Sequence, residues 1–377
     1  MKVEFHKHNV GQNDIDNVVK VLNSTFLTTG EVVKEFEIKF AQYMGCKYIV
    51  GVTSCTAALH LSLLAYGVGS GAEVITTPMT FIATANSILH AGATPVFVDV
   101  ESRTGNIDAD LIESAITPRT KAIMPVHLYG QMCDMKKIRG IADRYGLVVI
   151  EDAAHAIESS REGIRVGELG DATCVSFYAT KSITSGEGGA ISTNSEEITE
   201  WLKKLRLHGM SKDAGERYSK RYEHWDMEIL GWKYNMDNIQ AALLSNQLEN
   251  IENFWQRRDD ICHIYEDAFA DIPSVTCLKV LPYSKSARLM FTILVAPKIR
   301  DKVLEGLQER GVGVAVNFRA IHLLSYYRLV HGYQRGMFPI AERMGDSTIS
   351  LPLYPKLSDE EVQYVIGAVK DAVAVCV

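Results

Sequence analysis

The sequence has no long hydrophobic run and no excess of basic residues, and each absence excludes a class of protein. No stretch approaches the about 18 consecutive apolar residues of a membrane-spanning helix. The N-terminal residues 1–8 are charged and contain no apolar signal segment. The 39 basic residues are outnumbered by 46 acidic ones, which argues against a nucleic-acid partner because phosphate binding needs clustered positive charge. We therefore expect a cytoplasmic protein that binds neither membrane nor nucleic acid.

Paired cysteines are also missing. The seven cysteines are scattered, and no two of them have C-x-x-C spacing: Cys46, Cys55, Cys133, Cys174, Cys262, Cys277 and Cys376. This distribution predicts neither a zinc site nor the disulfide framework of a small secreted protein. No internal repeat or low-complexity segment is present, and the composition is that of an ordinary globular protein. We expect no bound metal.

The region from residue 46 to residue 194 alternates short β-branched runs with amphipathic stretches. This alternation predicts an α/β fold with a mainly parallel sheet covered by helices on both faces. Strands are predicted at Tyr48–Val52, Glu73–Thr77, Thr94–Val98, Ala122–Val126, Val148–Ile150, Ala172–Phe177 and Ala190–Ser192, and helices at Thr56–Ala65 and Met135–Tyr145. Ligands bind outside the carboxyl ends of the strands in such sheets, so residues directly after each strand are candidates for a site.

The pattern changes after about residue 235. One long helix is predicted over Asp237–Tyr265, a strand around Leu289–Val295, and helices at Asp301–Arg310 and Asp359–Val373. The 377 residues exceed the roughly 250–300 at which a single hydrophobic core stops growing. We therefore expect a large domain over residues 1–250, which includes an N-terminal arm, and a smaller α+β domain over residues 251–377.

A lysine and an acid follow successive predicted strands. Lys181 lies in a loop rich in Ser, Thr and Gly after Ala172–Phe177, and Asp152 ends the preceding strand, with His155 three residues on. Taken singly, Lys181 fits a solvated turn and Asp152 fits a helix N-cap. Together they fit a pyridoxal phosphate enzyme, which needs a Schiff-base lysine and an acid facing the pyridinium nitrogen.

The segment Thr53-Ser54-Cys55-Thr56 follows another predicted strand and begins a helix. The N–H groups and dipole of a helix N-terminus attract anions such as phosphate. Ordinary Ser/Thr capping explains the same residues without a ligand, and both interpretations can hold together. Cys55 would contribute its backbone N–H rather than its thiol.

Taken together, these motifs resemble the DegT/StrS-type nucleotide-sugar aminotransferases, which are pyridoxal phosphate enzymes of fold type I. The resemblance extends from Thr28-Thr29-Gly30 to the segment 350–355. Its most specific parts are Glu151-Asp152-Ala153-Ala154-His155, Ser176-Phe177-Tyr178-Ala179-Thr180-Lys181, Gly186-Glu187-Gly188-Gly189 and Gly231-Trp232-Lys233-Tyr234-Asn235-Met236. Each motif is weak alone, and their order and spacing carry the identification.

The resemblance implies roles for individual residues. It implies that Lys181 forms the Schiff base and moves protons, that Asp152 faces the pyridinium nitrogen, and that His155 lies near the ring and its phenolic oxygen. The phosphate cradle would consist of Ser54, Cys55 and Ser176. Phe81 would stack on the ring, although its position also fits plain core packing. Asn235 would reach the phosphate of a neighbouring subunit, which implies a homodimer with shared active sites.

The resemblance also implies a keto sugar nucleotide and glutamate as substrates. Thr28, Arg319, His322 and Tyr327 lie in the matching substrate-binding segments, and the string Phe318-Arg319-Ala320-x-His322 is most similar to that of 4-keto-pentose transaminases. A surface ion pair is the simpler explanation for Arg319. Three alternatives stay open: transamination at a 3-keto position, a pyridoxal-phosphate-dependent dehydratase, and a non-catalytic regulator that keeps the fold. The nucleotide, the sugar and the pathway stay open as well.

Overall fold

The computed structural model describes residues 1–212 and 224–376 of the chain. Its strands are β1 (Tyr48–Val52), β2 (Glu73–Thr76), β3 (Thr94–Phe97), β4 (Thr120–Ile123), β5 (Val148–Asp152), β6 (Ser160–Arg161), β7 (Ile164–Arg165), β8 (Ala172–Ser176), β9 (Gly189–Thr193), β10 (Thr276–Cys277), β11 (Ser284–Lys285), β12 (Phe291–Leu294) and β13 (Thr348–Leu351). Its helices are α1 (Gln12–Leu22), α2 (Glu31–Met44), α3 (Cys55–Ala65), α4 (Ala83–His90), α5 (Ala109–Ile112), α6 (Met135–Tyr145), α7 (Glu196–Leu205), α8 (Asn238–Glu249), α9 (Ile251–Phe269), α10 (Pro297–Glu309), α11 (Ser325–His331), α12 (Pro339–Ser347) and α13 (Asp359–Ala374).

Seven strands form the central sheet in the order β1-β9-β8-β5-β4-β2-β3. Neighbouring strands are parallel from β8 to β3, whereas β9 is antiparallel to both β1 and β8. Successive side chains of a strand point to opposite faces, and here both faces are apolar. Ile49 and Val149 join the core on one face, while Val50 and Ile150 join the core on the other. Helices therefore cover the sheet on both sides, which confirms the predicted α/β fold class.

A separate hydrophobic core lies in the C-terminal part of the chain. It packs α9, α10 and α13 against the three-stranded antiparallel sheet β10-β12-β13. Val3 also belongs to this core and pairs with Val312 in a parallel bridge. The Val3 N–H donates to the Gly311 carbonyl oxygen at 2.9 Å, and the Val3 carbonyl oxygen accepts from the Gly313 N–H at 2.8 Å. The N-terminal arm thus packs on the C-terminal core, while the predicted division at residue 250 stays a prediction.

The prediction of one long helix over Asp237–Tyr265 is wrong. The structure has two helices that meet at Asn250, whose φ of −104° and ψ of 4° interrupt the helical backbone. The Asn250 side chain donates to the carbonyl oxygen of Asn246 at 2.9 Å. Asparagine side chains compete in this way with the main-chain hydrogen bonds of a helix. The interruption lets α8 pack in the core that contains Ile49 and Val149, while most of α9 packs in the C-terminal core.

Within the described residues, no helix has the length and apolarity needed to cross a membrane. The cytoplasmic location stays a prediction.

Candidate active site

A cavity of about 450 Å³ lies at the carboxyl ends of the central strands. It brings together seven of the residues that the sequence singles out: Ser54, Cys55, Phe81, Asp152, His155, Ser176 and Lys181. They come from widely separated parts of the chain and meet because parallel strands end at one edge of the sheet. Thr80, Thr84, Tyr178, Asn317 and Phe318 also line the cavity, among other residues.

The N-terminus of α3 forms one wall of this cavity. Ser54 is the N-cap, in extended conformation, and its hydroxyl accepts a hydrogen bond from the backbone N–H of Ala57 at 3.1 Å. The first N–H groups of a helix have no partner within the helix. Gly189 of β9 packs so closely against this turn that a Cβ would lie 2.5 Å from the carbonyl carbon of Ser54 and 2.6 Å from the nitrogen of Cys55. Ser54 is thus both a cap and part of the cavity wall.

Asp152 ends β5 at the floor of the cavity and is 5% exposed. One carboxylate oxygen accepts from the Thr84 hydroxyl at 2.8 Å, and the other accepts from the Ala154 backbone N–H at 3.2 Å. Burial raises the pKa of Asp152, while these two hydrogen bonds oppose the rise. The residues that follow form turns rather than a helix, so the interpretation of Asp152 as a helix cap is wrong.

Lys181 lies in the loop between β8 and β9, and its side chain lines the cavity. Its backbone N–H donates to the carbonyl oxygen of Tyr178 at 2.9 Å, which closes the turn that places it there. Burial lowers the pKa of Lys181 to about 8, against the opposing effects of Cys55 and Asp152. A substantial fraction of the amine is therefore neutral near pH 8, unlike that of a solvated surface lysine.

His155 enters the cavity as a neutral ring. Its Nδ1 accepts a hydrogen bond from the backbone N–H of Tyr129 at 3.3 Å, and burial lowers its pKa well below the usual value. A neutral imidazole carries one proton, so this hydrogen bond leaves the proton on Nε2. The ring stacks against Phe318 with centroids 5.9 Å apart, and Phe318 in turn lies 5.8 Å from the half-exposed ring of Phe81.

Asn235 does not line the cavity of its own chain. It is buried, and its side-chain amide donates to the Thr29 hydroxyl at 2.7 Å and accepts from the Lys233 ammonium. Asn235 does not cap the following helix, because the cap is Asp237, whose carboxylate accepts from the Gln240 N–H at 2.8 Å.

The four predicted substrate-binding residues lie outside this first cavity. Thr28 is exposed on the loop between α1 and α2. Arg319, the residue that follows Phe318, lines a second cavity of about 770 Å³. His322 is fully buried and pairs with Glu342 at 3.1 Å. The buried Tyr327 donates its hydroxyl hydrogen to Asn86 at 2.7 Å. His322 and Tyr327 therefore have hydrogen-bond partners within the protein, and their contact with a substrate stays a prediction.

Sequence reasoning missed Thr84, Tyr129 and Phe318, which contact the predicted site residues. Thr84 carries a weak signal, since Thr80 and Thr84 have the i, i+4 spacing that brings side chains together on a helical turn. Tyr129 carries none, because its contact with His155 uses a backbone N–H. Phe318 lies in the string that indicated the substrate, but nothing in that string indicated a contact with His155.

The donor set of the first cavity fits pyridoxal phosphate. Ser54 and Cys55 at a helix N-terminus suit its phosphate, Asp152 suits its ring nitrogen, and Lys181 suits its aldehyde. No cluster of His, Cys, Asp or Glu able to hold a metal ion occurs in the parts of the chain that the structure describes.

Comparison with known proteins gives a consistent result. The profile of the DegT/DnrJ/EryC1/StrS aminotransferase family matches residues 8–370. The chain is 43% identical over 370 residues to the spore coat polysaccharide biosynthesis protein SpsC of Bacillus subtilis, covering 97% of this chain and 95% of that one. Spr1654 of Streptococcus pneumoniae in its PMP form is 32% identical, with a TM-score of 0.95 over the whole of both chains. PseC of Helicobacter pylori, an aminotransferase involved in pseudoaminic acid biosynthesis, is 31% identical, with a TM-score of 0.93 and full coverage of both chains.

Proposed function

The chain belongs to the DegT/DnrJ/EryC1/StrS aminotransferase family, whose members use pyridoxal phosphate, and we propose that it transfers an amino group from glutamate to a keto sugar nucleotide. The observation that carries the proposal is the meeting of Lys181, Asp152 and the α3 N-terminus in one cavity. Pyridoxal phosphate, when bound, supplies an aldehyde that exchanges with amines and a ring that withdraws electrons from the carbon losing its proton.

Each residue of the cavity has a defined task in this reaction. Ser54 and Cys55 would hold the phosphate by the hydroxyl and N–H groups of the helix N-terminus. Asp152 would accept a hydrogen bond from the protonated ring nitrogen, and His155 would offer its Nε2 hydrogen to an acceptor in the cavity. Lys181 Nζ takes the α-proton from the amino donor, which its lowered pKa allows near neutral pH. Because donor and acceptor use the same cavity in turn, we expect ping-pong kinetics.

The second cavity supports a substrate that carries a nucleoside diphosphate. Three arginines line it, namely Arg319, Arg328 and Arg335, together with leucines and Tyr333. Arginine is the residue best suited to bind pyrophosphate oxygens through two parallel hydrogen bonds. A sugar in the first cavity with its pyrophosphate toward Arg319 would span both. Transfer at the 4-keto position rests on the similarity of the 318–322 segment to 4-keto-pentose transaminases, and glutamate rests on the family resemblance.

We further propose a homodimer in which Asn235 completes the partner's site. Asn235 does not line the cavity of its own chain, although the residue directly before it, Tyr234, is hydrogen-bonded to Thr53 beside the phosphate cradle. A site shared between subunits would give the 231–236 segment, which resembles the family, a role in cofactor binding.

A substrate panel tests the proposed function. The protein is first converted to its aminated form with glutamate, then mixed with 3-keto and 4-keto sugar nucleotides, and the return of the visible absorption band is followed. We expect rapid return with a 4-keto sugar nucleotide, and an amino group at carbon 4 of the product by NMR. An amino group at carbon 3 would replace the 4-keto assignment. A protein that binds the cofactor but responds to no amino donor would be a regulator.

A further inference from the structure

Two threonine hydroxyls form a chain that ends on the carboxylate of Asp152. The Thr84 hydroxyl donates to Asp152 Oδ2 at 2.8 Å, and the hydroxyl oxygens of Thr80 and Thr84 lie 2.8 Å apart. The exposed fractions are 2% for Thr80, 0% for Thr84 and 5% for Asp152. Solvent therefore contributes little to the hydrogen bonding of this chain, and the three groups must satisfy one another.

The hydrogens of this chain have a fixed order. A threonine hydroxyl has one hydrogen, so Thr84, which donates to Asp152, must accept from Thr80. The other carboxylate oxygen accepts from the backbone N–H of Ala154 at 3.2 Å. Each of these hydrogens points toward the carboxylate. A proton on Oδ2 would place two hydrogens between Oδ2 and the Thr84 hydroxyl oxygen. Only a reversal of both hydroxyl groups, so that Thr84 donates to Thr80, would avoid this.

We infer that Thr84, supported by Thr80, is a positioning residue that keeps Asp152 ionised in its buried site. An ionised Asp152 can hold the ring nitrogen of the cofactor in its protonated form, which makes the ring an acceptor of electrons. The inference concerns the binding of pyridoxal phosphate and does not depend on the proposed sugar substrate.

The groups around Asp152 make this assistance necessary. Burial is the largest influence on the pKa of Asp152 and raises it, and the Thr84 hydrogen bond is the largest influence in the opposite direction. Lys181 and His127 lower the pKa to a smaller degree. The thiols of Cys55 and Cys174 also face Asp152, but burial raises their own pKa values, so they stay neutral. Among these neighbours, Thr84 does most to offset burial.

An infrared titration of the full-length protein without cofactor tests the inference. The band of the protonated Asp152 is identified by its loss in Asp152→Asn. A hydrogen bond to a charged group that is lost shifts a titration by about one to two pH units. We expect Thr84→Val to raise the midpoint of Asp152 by that amount and Thr84→Ser, which keeps the hydroxyl, to restore it. Thr80→Val should give a smaller rise.

Cofactor affinity provides a second measurement. At a pH below the midpoint of Asp152, Thr84→Val should weaken pyridoxal phosphate binding about tenfold, because a rise of one pH unit in the midpoint lowers the ionised fraction of Asp152 tenfold. Thr84→Ser should bind as the unchanged protein does. Thr76→Val is the matched control, because Thr76 is an equally buried threonine whose hydroxyl donates to the Met124 carbonyl oxygen at 2.8 Å. It should leave the midpoint of Asp152 unchanged.

Three results would overturn the inference. They are an unshifted midpoint in Thr84→Val, an equal shift in Thr76→Val, and a folded Thr84→Ser that titrates like the valine variant. Should Thr84→Val not fold, Thr80→Val decides, since an unchanged midpoint in that variant removes the proposed chain.

Discussion

The backbone N–H of Tyr129 donates to Nδ1 of His155 at 3.3 Å, and this contact depends on an unusual backbone conformation. Tyr129 has a φ of 58°, in the left-handed region that non-glycine residues seldom adopt. Its hydroxyl donates to the carbonyl oxygen of Asn317, directly before Phe318, which stacks on the same histidine. One residue thus fixes the protonated nitrogen of His155 and anchors the segment that covers it.

Replacement of Lys181 by alanine should abolish visible absorption and lower the transamination rate by about 10²–10⁴-fold, the usual contribution of a positioned proton-transfer group. In the unchanged protein, sodium borohydride should link the cofactor covalently to Lys181, as peptide mass spectrometry would show. Lys302→Ala, at an exposed position on α10, is the control. A colourless Lys181→Ala protein with full activity would contradict the assignment.

Gly189→Ala should weaken cofactor binding by about 10–100-fold, because the added Cβ would overlap the backbone of Ser54 and Cys55. Titration with pyridoxal phosphate measures the change. Gly367→Ala is the control, since Gly367 lies on α13 with nothing within 4 Å of the added carbon. That variant should keep its affinity and gain about 1 kcal/mol of stability from better helix propensity. Equal affinities in both variants would show that the close packing is dispensable.

Arg258 and Glu158 form a buried ion pair at 2.6 Å, with side chains 3% and 0% exposed. Glu158 also accepts from Ser182, the residue after Lys181, at 2.9 Å. Removing one partner leaves an uncompensated buried charge, so Arg258→Met should lower the free energy of unfolding by about 3–5 kcal/mol.

Urea denaturation of three variants tests the origin of this loss. Adding Glu158→Met to Arg258→Met should recover much of the stability, because the stranded charge is then gone. Lys203→Met breaks the exposed pair with Glu200 and should cost less than about 1 kcal/mol. A double variant less stable than Arg258→Met would show that the buried, unpaired charge of Glu158 is not the cause of the lost stability.

His6 of the N-terminal arm should make stability depend on pH. Burial lowers the pKa of His6 to about 4 from its usual 6.5, and Lys181 and Arg258 contribute in the same direction. Between these values the unfolded chain binds a proton that the folded chain does not, so stability falls as the pH decreases from 6.5 to 4. The loss over this range should be about 2–3 kcal/mol. His6→Gln should show a correspondingly shallower slope in urea titrations across this range, and an unchanged slope would be evidence against a partly buried, neutral His6.

Mixed dimers test whether Asn235 serves the partner's site. Lys181→Ala and Asn235→Ala proteins, each poorly active, are combined under conditions that exchange subunits. One site of each hybrid dimer then contains both an intact Lys181 and an intact Asn235, so activity should rise above that of either parent. Mass spectrometry confirms exchange. If exchange occurs without recovery, Asn235 acts within its own chain, through its contacts with Thr29 and Lys233.

The sequence predicted the elements whose ends carry strong local signals. The predicted helix Met135–Tyr145 matches the structure at both ends, because Asp134 caps its first turn and Gly146 adopts the left-handed conformation after its last. The order of the predicted strands also indicated that Asp152 and Lys181 lie at the same edge of the sheet. The break at Asn250 could not be predicted, because it depends on tertiary packing. The helix before it packs in a core beside the central sheet, and most of the helix after it packs in the C-terminal core. The burial of His322 depends in the same way on Glu342, which is distant in sequence.

The pairing of Val3 with Val312 has a consequence for the order in which the chain folds during synthesis. The strands of the central sheet all lie between residues 48 and 193, so the ribosome releases them early, and they can assemble while the rest is still being made. Val3 emerges before these strands, but its partner Val312 appears only after them. Contacts so far apart in sequence form slowly because a long loop must close. The pairing of Val3 with Val312 is therefore among the last contacts to form.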